Sequence, residues 1–254
     1  MRQLNSDRRD FVAEPISSSR RGAVLPSLGT IYWRAVLRPS RRISKSLSRR
    51  GLYNFLEQRL SEIPAGARVL NVGVGGPVGE QVADYASRNR FNVLNMDIDA
   101  SRKPELVGDI ATYDFGGEKF DYIVMSEVLE HVQEPHLAAR NLHSALADGG
   151  KLILSTPFIF PIHLRPHDYF RYTKYGLQYL FRDFKKVDVS ARNTWPEAVV
   201  VLLARLSNEG GFLSGALTPL MILLALILQP VAWVLGRLFP ADHLTTGYVL
   251  LAEK

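Results

Sequence analysis

The stretch that decides the fold runs from Arg68 to Gly79 and reads Arg-Val-Leu-Asn-Val-Gly-Val-Gly-Gly-Pro-Val-Gly. Its first five residues are mostly apolar, and this pattern predicts a short buried strand. The glycines that follow let the backbone approach a ligand closely, and the helix predicted over about 79–89 begins with free N–H groups. The stretch therefore predicts a strand, a glycine-rich bend and a helix that can receive a ligand.

Strands and helices alternate on both sides of this stretch. Apolar runs predict further strands at 91–96, 105–107, 120–125, 151–155, 185–189 and 247–252. Amphipathic spacing predicts helices at 51–63, 135–146 and 173–182, the second of which should stop at Asp148-Gly149-Gly150. This alternation is typical of an α/β fold with a mostly parallel sheet covered by helices on both faces.

The composition limits the kind of protein and the chemistry. The 254 residues are 46% hydrophobic, which permits a large core, and the absence of cysteine excludes disulfides, cysteine-ligated zinc and thiol nucleophiles. Residues 1–51 hold twelve Lys/Arg and three Asp/Glu, although the whole chain carries only +6. We therefore expect residues 1–50 to be a basic, partly disordered arm, either simply solvated or drawn to an anionic membrane surface. Aromatic residues are sparse there, so nucleic acid is not favoured as a partner.

A long apolar segment separates the sixth predicted strand from the last. Residues 210–236 carry no charged side chain and could span a bilayer by length, but Pro219 and Pro230 argue against one straight helix. A single crossing would also place the last two strands on opposite sides of the membrane. We expect an apolar helical insertion at about 195–243 within a domain of residues 51–254. It would form a re-entrant or interfacial hairpin, or else a buried cap or dimer interface.

An acidic residue ends the second predicted strand. Asp97, with Asp99 just beyond it, stands where a carboxylate can accept hydrogen bonds from both ribose hydroxyls of an adenosine. One of the two acids could instead merely cap the next turn. The glycine bend and this acid also occur in nicotinamide dehydrogenases, so by themselves they leave the cofactor open.

Longer motifs narrow the choice. The blocks are Val69-Leu-Asn-Val-Gly-Val-Gly-Gly, Asn95-Met-Asp-Ile-Asp, Val107-Gly-Asp, Phe120-Asp-Tyr-Ile-Val-Met-Ser-Glu-Val-Leu-Glu-His-Val and Leu146-Ala-Asp-Gly-Gly-Lys-Leu-Ile-Leu-Ser-Thr-Pro. In order and spacing, over about residues 66–190, they resemble the class I methyltransferases, and among them the UbiE/UbiG-like, type 11 branch. The resemblance implies S-adenosyl-L-methionine as cofactor. It also implies a doubly wound, Rossmann-like, seven-stranded sheet whose last strand is antiparallel.

The resemblance also implies cofactor-binding positions. Gly73 and Gly75 would face the methionine part, Asp97 the ribose, and Asp109 with the Ile110 backbone the adenine edge. Ser126 and Glu127 would follow the fourth strand at the mouth of the site, Ser126 beside the cofactor and Glu127 beside the reacting groups. Asn71 departs from the family, which usually has an acid there to place the cofactor's ammonium group. Asparagine accepts a hydrogen bond without supplying charge, so weaker binding or a degenerate enzyme is compatible with the sequence.

A second motif concerns a metal ion. On a helix, Glu127, Glu130 and His131 would share one face and could bind a divalent ion such as Mg²⁺. A similar Glu-x-x-Glu-His binds metal in small-RNA 2′-O-methyltransferases and quinone O-methyltransferases. His163, His167 or Asp168 could add a ligand. Alternatively, Glu130 and His131 only fix the loop after the fourth strand.

The loop 157–173 follows the fifth predicted strand, where open α/β sheets bind ligands. His163 or His167 is a candidate general base, because neutral imidazole titrates near working pH. Arg171 could clamp an acidic group of the substrate. In the structural alternative, Asp168 pairs with Arg171 and Tyr169 packs within the loop.

Taken together, these features favour a cytoplasmic enzyme, peripheral or re-entrant at the membrane, that O-methylates a small-molecule, glycan or lipid-linked acceptor. The basic arm leaves an RNA or protein methyltransferase as an alternative. Asn71 leaves a non-catalytic membrane adaptor on a methyltransferase fold, and the glycine bend leaves a nicotinamide dehydrogenase.

Overall fold

The computed structural model describes Tyr32 and residues 36–206, 212–241 and 244–254. Seven strands in these residues form one sheet: β1 (Arg68–Val72), β2 (Asn92–Asp97), β3 (Leu106–Val107), β4 (Phe120–Ser126), β5 (Leu146–Pro157), β6 (Lys186–Ala191) and β7 (Gly247–Glu253). Their order is β3-β2-β1-β4-β5-β7-β6, and β7 runs antiparallel to both neighbours. The structure thus confirms the predicted doubly wound α/β sheet with an antiparallel last strand.

Helices cover both faces of the sheet. They are α1 (Arg38–Ser61), α2 (Gly76–Asn89), α3 (Pro135–Ala145), α4 (Lys174–Leu180), α5 (Trp195–Leu206) and α6 (Phe212–Leu238), with short 3₁₀ helices at Ala100–Arg102 and Leu129–His131. Side chains of β1 alternate between two cores: Val69 joins α1 and α2, whereas Leu70 joins α3 and α4. This alternation follows from the two-residue period of a strand.

Helix α1 begins earlier than the sequence predicts. It starts at Arg38, so residues 38–50 of the predicted basic arm are helical, while 1–31 and 33–35 lie outside the described residues. The missed signal is a serine stripe: Ser40, Ser44 and Ser48 are buried at the four-residue spacing that Leu52 and Leu56 continue. Small serines let α1 pack closely on its neighbours, but a hydrophobicity pattern does not register them.

Strand β5 is longer than predicted. Helix α3 ends at Ala145, and β5 begins at Leu146 rather than at 151. The register on β4 shifts between Phe120, which pairs with Leu146, and Tyr122, which pairs with Lys151. The two glycines at 149 and 150 therefore lie in an irregularity within the strand instead of ending a helix, because extra residues in one strand bend out of the ladder.

The apolar insertion is present before the last strand and consists of two helices, α5 and α6. Helix α6 is a single 27-residue element that continues through both Pro219 and Pro230, so neither proline ends it. Both prolines are exposed, and there a missing backbone donor leaves no buried group unpaired. Helix α6 packs along α5 and α1 through Ile222, Ala225 and Ala232.

Candidate active site

The glycine bend joins β1 to α2 at the carboxyl edge of the sheet. Gly73 has φ +91° and Gly75 has φ +111°, a region that favours glycine. A Cβ on Gly73 would lie 2.4 Å from Val128 Cγ2, whereas no described atom lies within 4 Å of a Cβ placed on Gly75. Among the described residues no side chain caps α2, so its first N–H groups remain available to a ligand.

Asp97 lies beside this bend at the end of β2. It is 5% exposed, and its carboxylate accepts hydrogen bonds from the backbone N–H of Val74 at 2.7 Å and of Asp99 at 2.9 Å. Arg102 also donates to it from Nη1, at 3.0 Å. An acid held against an open glycine bend fits an adenosyl ligand, with the ribose at the carboxylate and the charged end at the helix amides. Arg102 was missed by the sequence analysis.

The backbone that is predicted to border the adenine lies next to Asp97. Gly108 N–H donates to the Asp97 carbonyl at 3.0 Å, which ties β3 to the end of β2. The Asp109 carboxylate turns back to accept from the Ala111 backbone at 2.9 Å, and Asn141 donates to the Ile110 carbonyl at 2.8 Å. These bonds fix the backbone at 109–110 on the same side of the sheet as the glycine bend.

Asn71 is buried at 2% exposure within β1. Its Nδ2 donates to Asn95 Oδ1 at 2.9 Å across the β1–β2 pair. The uncharged residue therefore has a local structural explanation, because two adjacent amides satisfy each other without a buried charge. Asn95 was not singled out by the sequence analysis.

Ser126 and Glu127, at the end of β4, belong to a polar network. Ser126 Oγ lies 2.7 Å from Ser155 Oγ, and Ser155 donates to Glu127 Oε1 at 3.0 Å. Arg192 pairs with Glu127 through both of its terminal nitrogens, one of them 3.1 Å from Oε2. Burial opposes ionisation of Glu127, but the Arg192 guanidinium outweighs it and lowers the pKa of this carboxyl.

Glu127 is consequently committed to Arg192 rather than to a metal. It has φ +57°, and the chain forms only a short 3₁₀ helix at Leu129–His131, so the predicted helical face of Glu127, Glu130 and His131 does not form. The geometry does not bring Glu127 into one ligand set with Glu130 and His131, because the positive φ and the guanidinium direct its carboxylate elsewhere. Arg192, just beyond β6, is a site residue that the sequence analysis missed.

His163 takes the position expected for Glu127. A ligand atom from each of Glu130, His131 and His163 lies within 4.8 Å of the others. Glu130 Oε1 is 3.7 Å from His131 Nε2 and 3.9 Å from His163 Nε2. Glu130 Oε1 and His131 Nε2 are buried without a hydrogen-bond partner among the described residues. Burial, and then the nearby Glu127 charge, raise the pKa of Glu130 well above its ordinary value.

The tautomer of His131 follows from its surroundings. Its Nδ1 lies 2.5 Å from the His167 carbonyl oxygen, which can only accept, so Nδ1 carries the proton. The Nε2 lone pair then faces Glu130, as in histidines that bind metal while their other nitrogen donates to a carbonyl. Two of the three donors are imidazoles, which suit zinc, iron or nickel better than Mg²⁺. The donor set therefore gives no support to the Mg²⁺ expected from the sequence.

The loop after β5 folds over this cluster. Asp168 accepts from Arg171 Nη1 at 2.5 Å and from Nη2 at 2.6 Å, and chiefly through these bonds the pKa of Asp168 falls far below its ordinary value. Asp168 also lies 3.2 Å from His163 Nδ1. Burial lowers the pKa of His163, which favours the neutral ring. His167 Nδ1 is 3.0 Å from Tyr169 Oη, outside the cluster. Arg171 is thus engaged by Asp168, as in the structural alternative.

Comparison with known proteins agrees with this geometry. A family model described as a methyltransferase domain matches residues 42–189. Two curated relatives are named ubiquinone biosynthesis O-methyltransferase. The one from Xanthomonas axonopodis pv. citri is 36% identical over 107 residues, which are 37% of this chain and 44% of the relative. The one from Xanthomonas euvesicatoria is 35% identical over 106 residues, 36% and 44% of the two chains. The chain thus matches less than half the length of these relatives.

Solved structures show the same fold. An S-adenosylmethionine-dependent methyltransferase from Archaeoglobus fulgidus superposes with a TM-score of 0.53 at 14% identity, covering 82% of this chain and 95% of the other. Phosphoethanolamine N-methyltransferase 2 of Haemonchus contortus, solved with S-adenosyl-L-methionine, gives 0.52 at 18% identity, covering 81% and 52%. The dehydrogenase alternative is wrong, because the matching family model is a methyltransferase domain. This chain belongs to the class I S-adenosylmethionine-dependent methyltransferases.

Proposed function

We propose that the protein transfers the methyl group of S-adenosylmethionine to a hydroxyl oxygen of a small, amphiphilic molecule. The observation that carries this proposal is one juxtaposition. The open glycine bend with Asp97 and the Glu130–His131–His163 cluster lie along the same carboxyl edge of the sheet. The names of the curated relatives support oxygen as the acceptor atom. The apolar helix α6 supports an amphiphilic or lipid-linked acceptor over a free glycan.

The cofactor would be held by backbone amides and carboxylates that lie at the carboxyl edge of the sheet. The uncapped α2 amides beyond Gly75 would bind the methionine carboxylate, and Asp97 would accept from the ribose hydroxyls. Asp109 and the Ile110 backbone would border the adenine. When bound there, S-adenosylmethionine would supply a sulfonium methyl group for transfer to the acceptor oxygen, with S-adenosylhomocysteine as the leaving group.

The protein must then receive the proton of the acceptor hydroxyl. His163 is the favoured base, because its ring is only partly exposed, its neutral form is favoured, and Asp168 lies 3.2 Å from Nδ1 to stabilise the protonated ring. His167 remains a weaker candidate, since its ring is bonded to Tyr169. Glu127 and Ser126 would support the site from below rather than touch the substrate.

A second candidate role for the cluster is metal binding. Two orphaned ligand atoms and the fixed tautomer of His131 favour a divalent ion of the zinc or iron type, held by Glu130, His131 and His163. Such an ion would act as a Lewis acid that lowers the pKa of the acceptor hydroxyl.

Transfer of tritium from [methyl-³H]-S-adenosylmethionine to 3,4-dihydroxybenzoate and to its octyl ester tests both roles. We expect the octyl ester to be preferred and His163→Ala to slow transfer by about 10²–10⁴-fold, the usual loss for a general base. His136→Ala, at an exposed position of α3, is the matched control.

Chelation separates the two roles of the cluster. Full activity in EDTA supports the free base, whereas loss in EDTA that Zn²⁺ or Mn²⁺ restores supports the metal. If the wild-type protein methylates one of the acceptors and His163→Ala does so at the same rate, both roles of the cluster are contradicted.

The remaining alternatives make different predictions. An RNA or protein methyltransferase should depend on the basic arm, so removal of residues 1–31 should abolish transfer. A membrane adaptor should bind S-adenosylmethionine tightly and turn over no acceptor.

A further inference from the structure

Helix α6 presents an unusually apolar surface to the outside. Leu220, Leu223, Ile227 and Val231 are each more than half exposed. Within Gly215–Leu238, the most apolar window has a mean hydropathy of 2.1, and only 22% of that window is buried. Contiguous apolar surface of this kind marks a site of contact with a partner or a membrane.

The inward face of α6 is less apolar than its outward face. Thr218, Ala225 and Ala232 are buried together with one large apolar side chain, Ile222, and Gly236 packs so closely on Thr194 that a Cβ would lie 2.3 Å from its hydroxyl. A helix on a water-soluble protein normally turns its large apolar side chains inward. In α6 most of the large apolar side chains point outward instead, which favours apolar outer surroundings.

The fold excludes a simple crossing of a bilayer by α6. Strand β6 precedes the insertion and β7 follows it, and the two pair directly from Lys186–Glu253 to Ala191–Tyr248. Both flanks of the insertion therefore lie on the same side of any membrane. Helix α6 also packs along α5 and α1, which keeps one side of it on the protein. This geometry fits a helix that lies in the membrane interface.

The charged residues near α6 indicate which kind of partner its apolar face contacts. Helix α1 packs on the α6 cluster through Ile43 and Leu47, and it exposes Arg38, Arg41 and Arg42 nearby. No acidic residue occurs in the chain between Glu14 and Glu57. The only charged residue of α6 is Arg237, whose guanidinium stacks 3.9 Å from the Trp233 ring. Arginine and tryptophan together are typical of a helix end at a lipid interface.

The same charges disfavour a second copy of the chain as the occupant. A symmetric dimer through this face would bring two arginine-rich α1 helices together, and like charges in proximity repel. An anionic membrane offers negative headgroups to the arginines and an apolar acyl region to the exposed face of α6.

We propose that α6 and the basic start of α1 form a docking surface that places the protein on the anionic leaflet of a membrane, with α6 embedded along the interface. The loop that carries His163 contacts the helices that pack beside this surface. Phe160 of the loop that carries His163 lies 4.7 Å from the Arg205 guanidinium, and Arg205 donates to Ser48 of α1. An amphiphilic acceptor would thus reach the site from the lipid, a consequence that rests on the proposed function.

Flotation of the full chain with lipid vesicles tests the docking surface without requiring activity. The probes are vesicles of phosphatidylcholine alone and of phosphatidylcholine with 30 mol% phosphatidylglycerol. We expect binding to both, stronger on the anionic vesicles and weakened by salt. Leu220→Gln/Leu223→Gln/Ile227→Gln should reduce the partition coefficient more than about tenfold. Burial of even one leucine or isoleucine side chain changes a partition coefficient by about tenfold. Tyr175→Gln/Tyr179→Gln, exposed on α4, is the matched control.

A charge series supplies the second measurement. Arg38→Gln/Arg41→Gln/Arg42→Gln should lower binding to the anionic vesicles by about fivefold per residue and leave phosphatidylcholine binding unchanged. Arg88→Gln/Arg140→Gln/Lys185→Gln has the same net charge away from the surface and should change neither. Circular dichroism melting confirms that each variant is folded.

Two outcomes would overturn the proposal. One is a wild-type protein that stays unbound with both vesicle types. The other is a stable dimer in light scattering that becomes monomeric in the α6 variant, which would show that a second copy covers the helix. Flotation with no methyl transfer would instead leave the docking surface intact and contradict only the proposed function.

Discussion

At the scale of single residues, Asn71 stands where the resemblance to methyltransferases leads us to expect an acid. Replacing it with aspartate should tighten binding of S-adenosylmethionine by roughly fivefold, because a charge-assisted hydrogen bond to the cofactor's ammonium is about twice as strong as a neutral one. The neighbouring Asn95 can accommodate the carboxylate by turning its amide to donate. Isothermal titration calorimetry measures the change.

Asn92→Asp is the control for the Asn71 substitution. It adds the same charge at an exposed position of β2 and should leave the affinity unchanged. Equal or weaker binding by Asn71→Asp would show that the cofactor's ammonium does not lie near this position.

The Glu127–Arg192 pair should contribute strongly to stability. The Arg192 side chain is 4% exposed and that of Glu127 19%, so Glu127→Gln leaves a buried cation without its counter-charge. We expect the free energy of unfolding to fall by about 3–5 kcal/mol in urea denaturation. Glu127→Gln/Arg192→Met should recover part of the loss, since the stranded charge is gone. A single variant as stable as the wild type would contradict a buried, ionised pair.

Some residues of the candidate site could be predicted from the sequence and others could not. Asp97 and Asp109 could be predicted because one ends β2 and the other closely follows β3, each within a recognisable motif. Arg192 could not, since its partner Glu127 is 65 residues away and only the β5–β7–β6 pairing brings them together. His163 was proposed as a base, but its proximity to Glu130 and His131 depends on how the loop after β5 folds.

At the scale of elements, α1 is positioned by the absence of a side chain. A Cβ on Gly51 would lie 1.8 Å from the Arg192 carbonyl oxygen, so the helix approaches the end of β6 with no space for a methyl group. Gly51→Ala should destabilise the protein by at least about 2 kcal/mol, because backbone atoms must move. Chemical denaturation monitored by circular dichroism measures this.

Gly215→Ala is the matched comparison for Gly51→Ala. No described atom lies within 4 Å of its added Cβ, and alanine favours helix over glycine by up to about 1 kcal/mol. We therefore expect unchanged or slightly higher stability. Similar losses for the two variants would show that close packing does not position α1.

Two helices, α1 and α6, depart from the sequence prediction for different reasons. Periodicity of large apolar residues found β1, β2, β4 and α3 within a few positions. It missed the first part of α1, where buried serines replace leucines, and it did not predict that α6 continues through two prolines. Packing on neighbouring elements decides the conformation of α1, whereas exposure on the helix surface tolerates the prolines of α6.

At the scale of the whole molecule, the candidate active site and the apolar surface are formed by different elements. The carboxyl edge of the sheet gathers the glycine bend, Asp97 and the histidine cluster, as expected for an open α/β sheet that binds ligands at this edge. Helices α5 and α6 extend from the β6–β7 side and carry the apolar surface. The resemblance to methyltransferases predicted the first arrangement, whereas the exposure of most large apolar side chains of α6 could be read only from the structure.

The central claim is that the glycine bend and Asp97 bind S-adenosylmethionine, and calorimetric titration of the purified chain with this ligand tests it most directly. We predict saturable binding at one site. Asp97→Ala should weaken it at least about tenfold, because the ribose hydroxyls lose a charged acceptor. Asp84→Ala, at an exposed position of α2, should bind as the wild type does. A folded wild-type protein that gives no binding heat with either S-adenosylmethionine or S-adenosylhomocysteine would contradict the account.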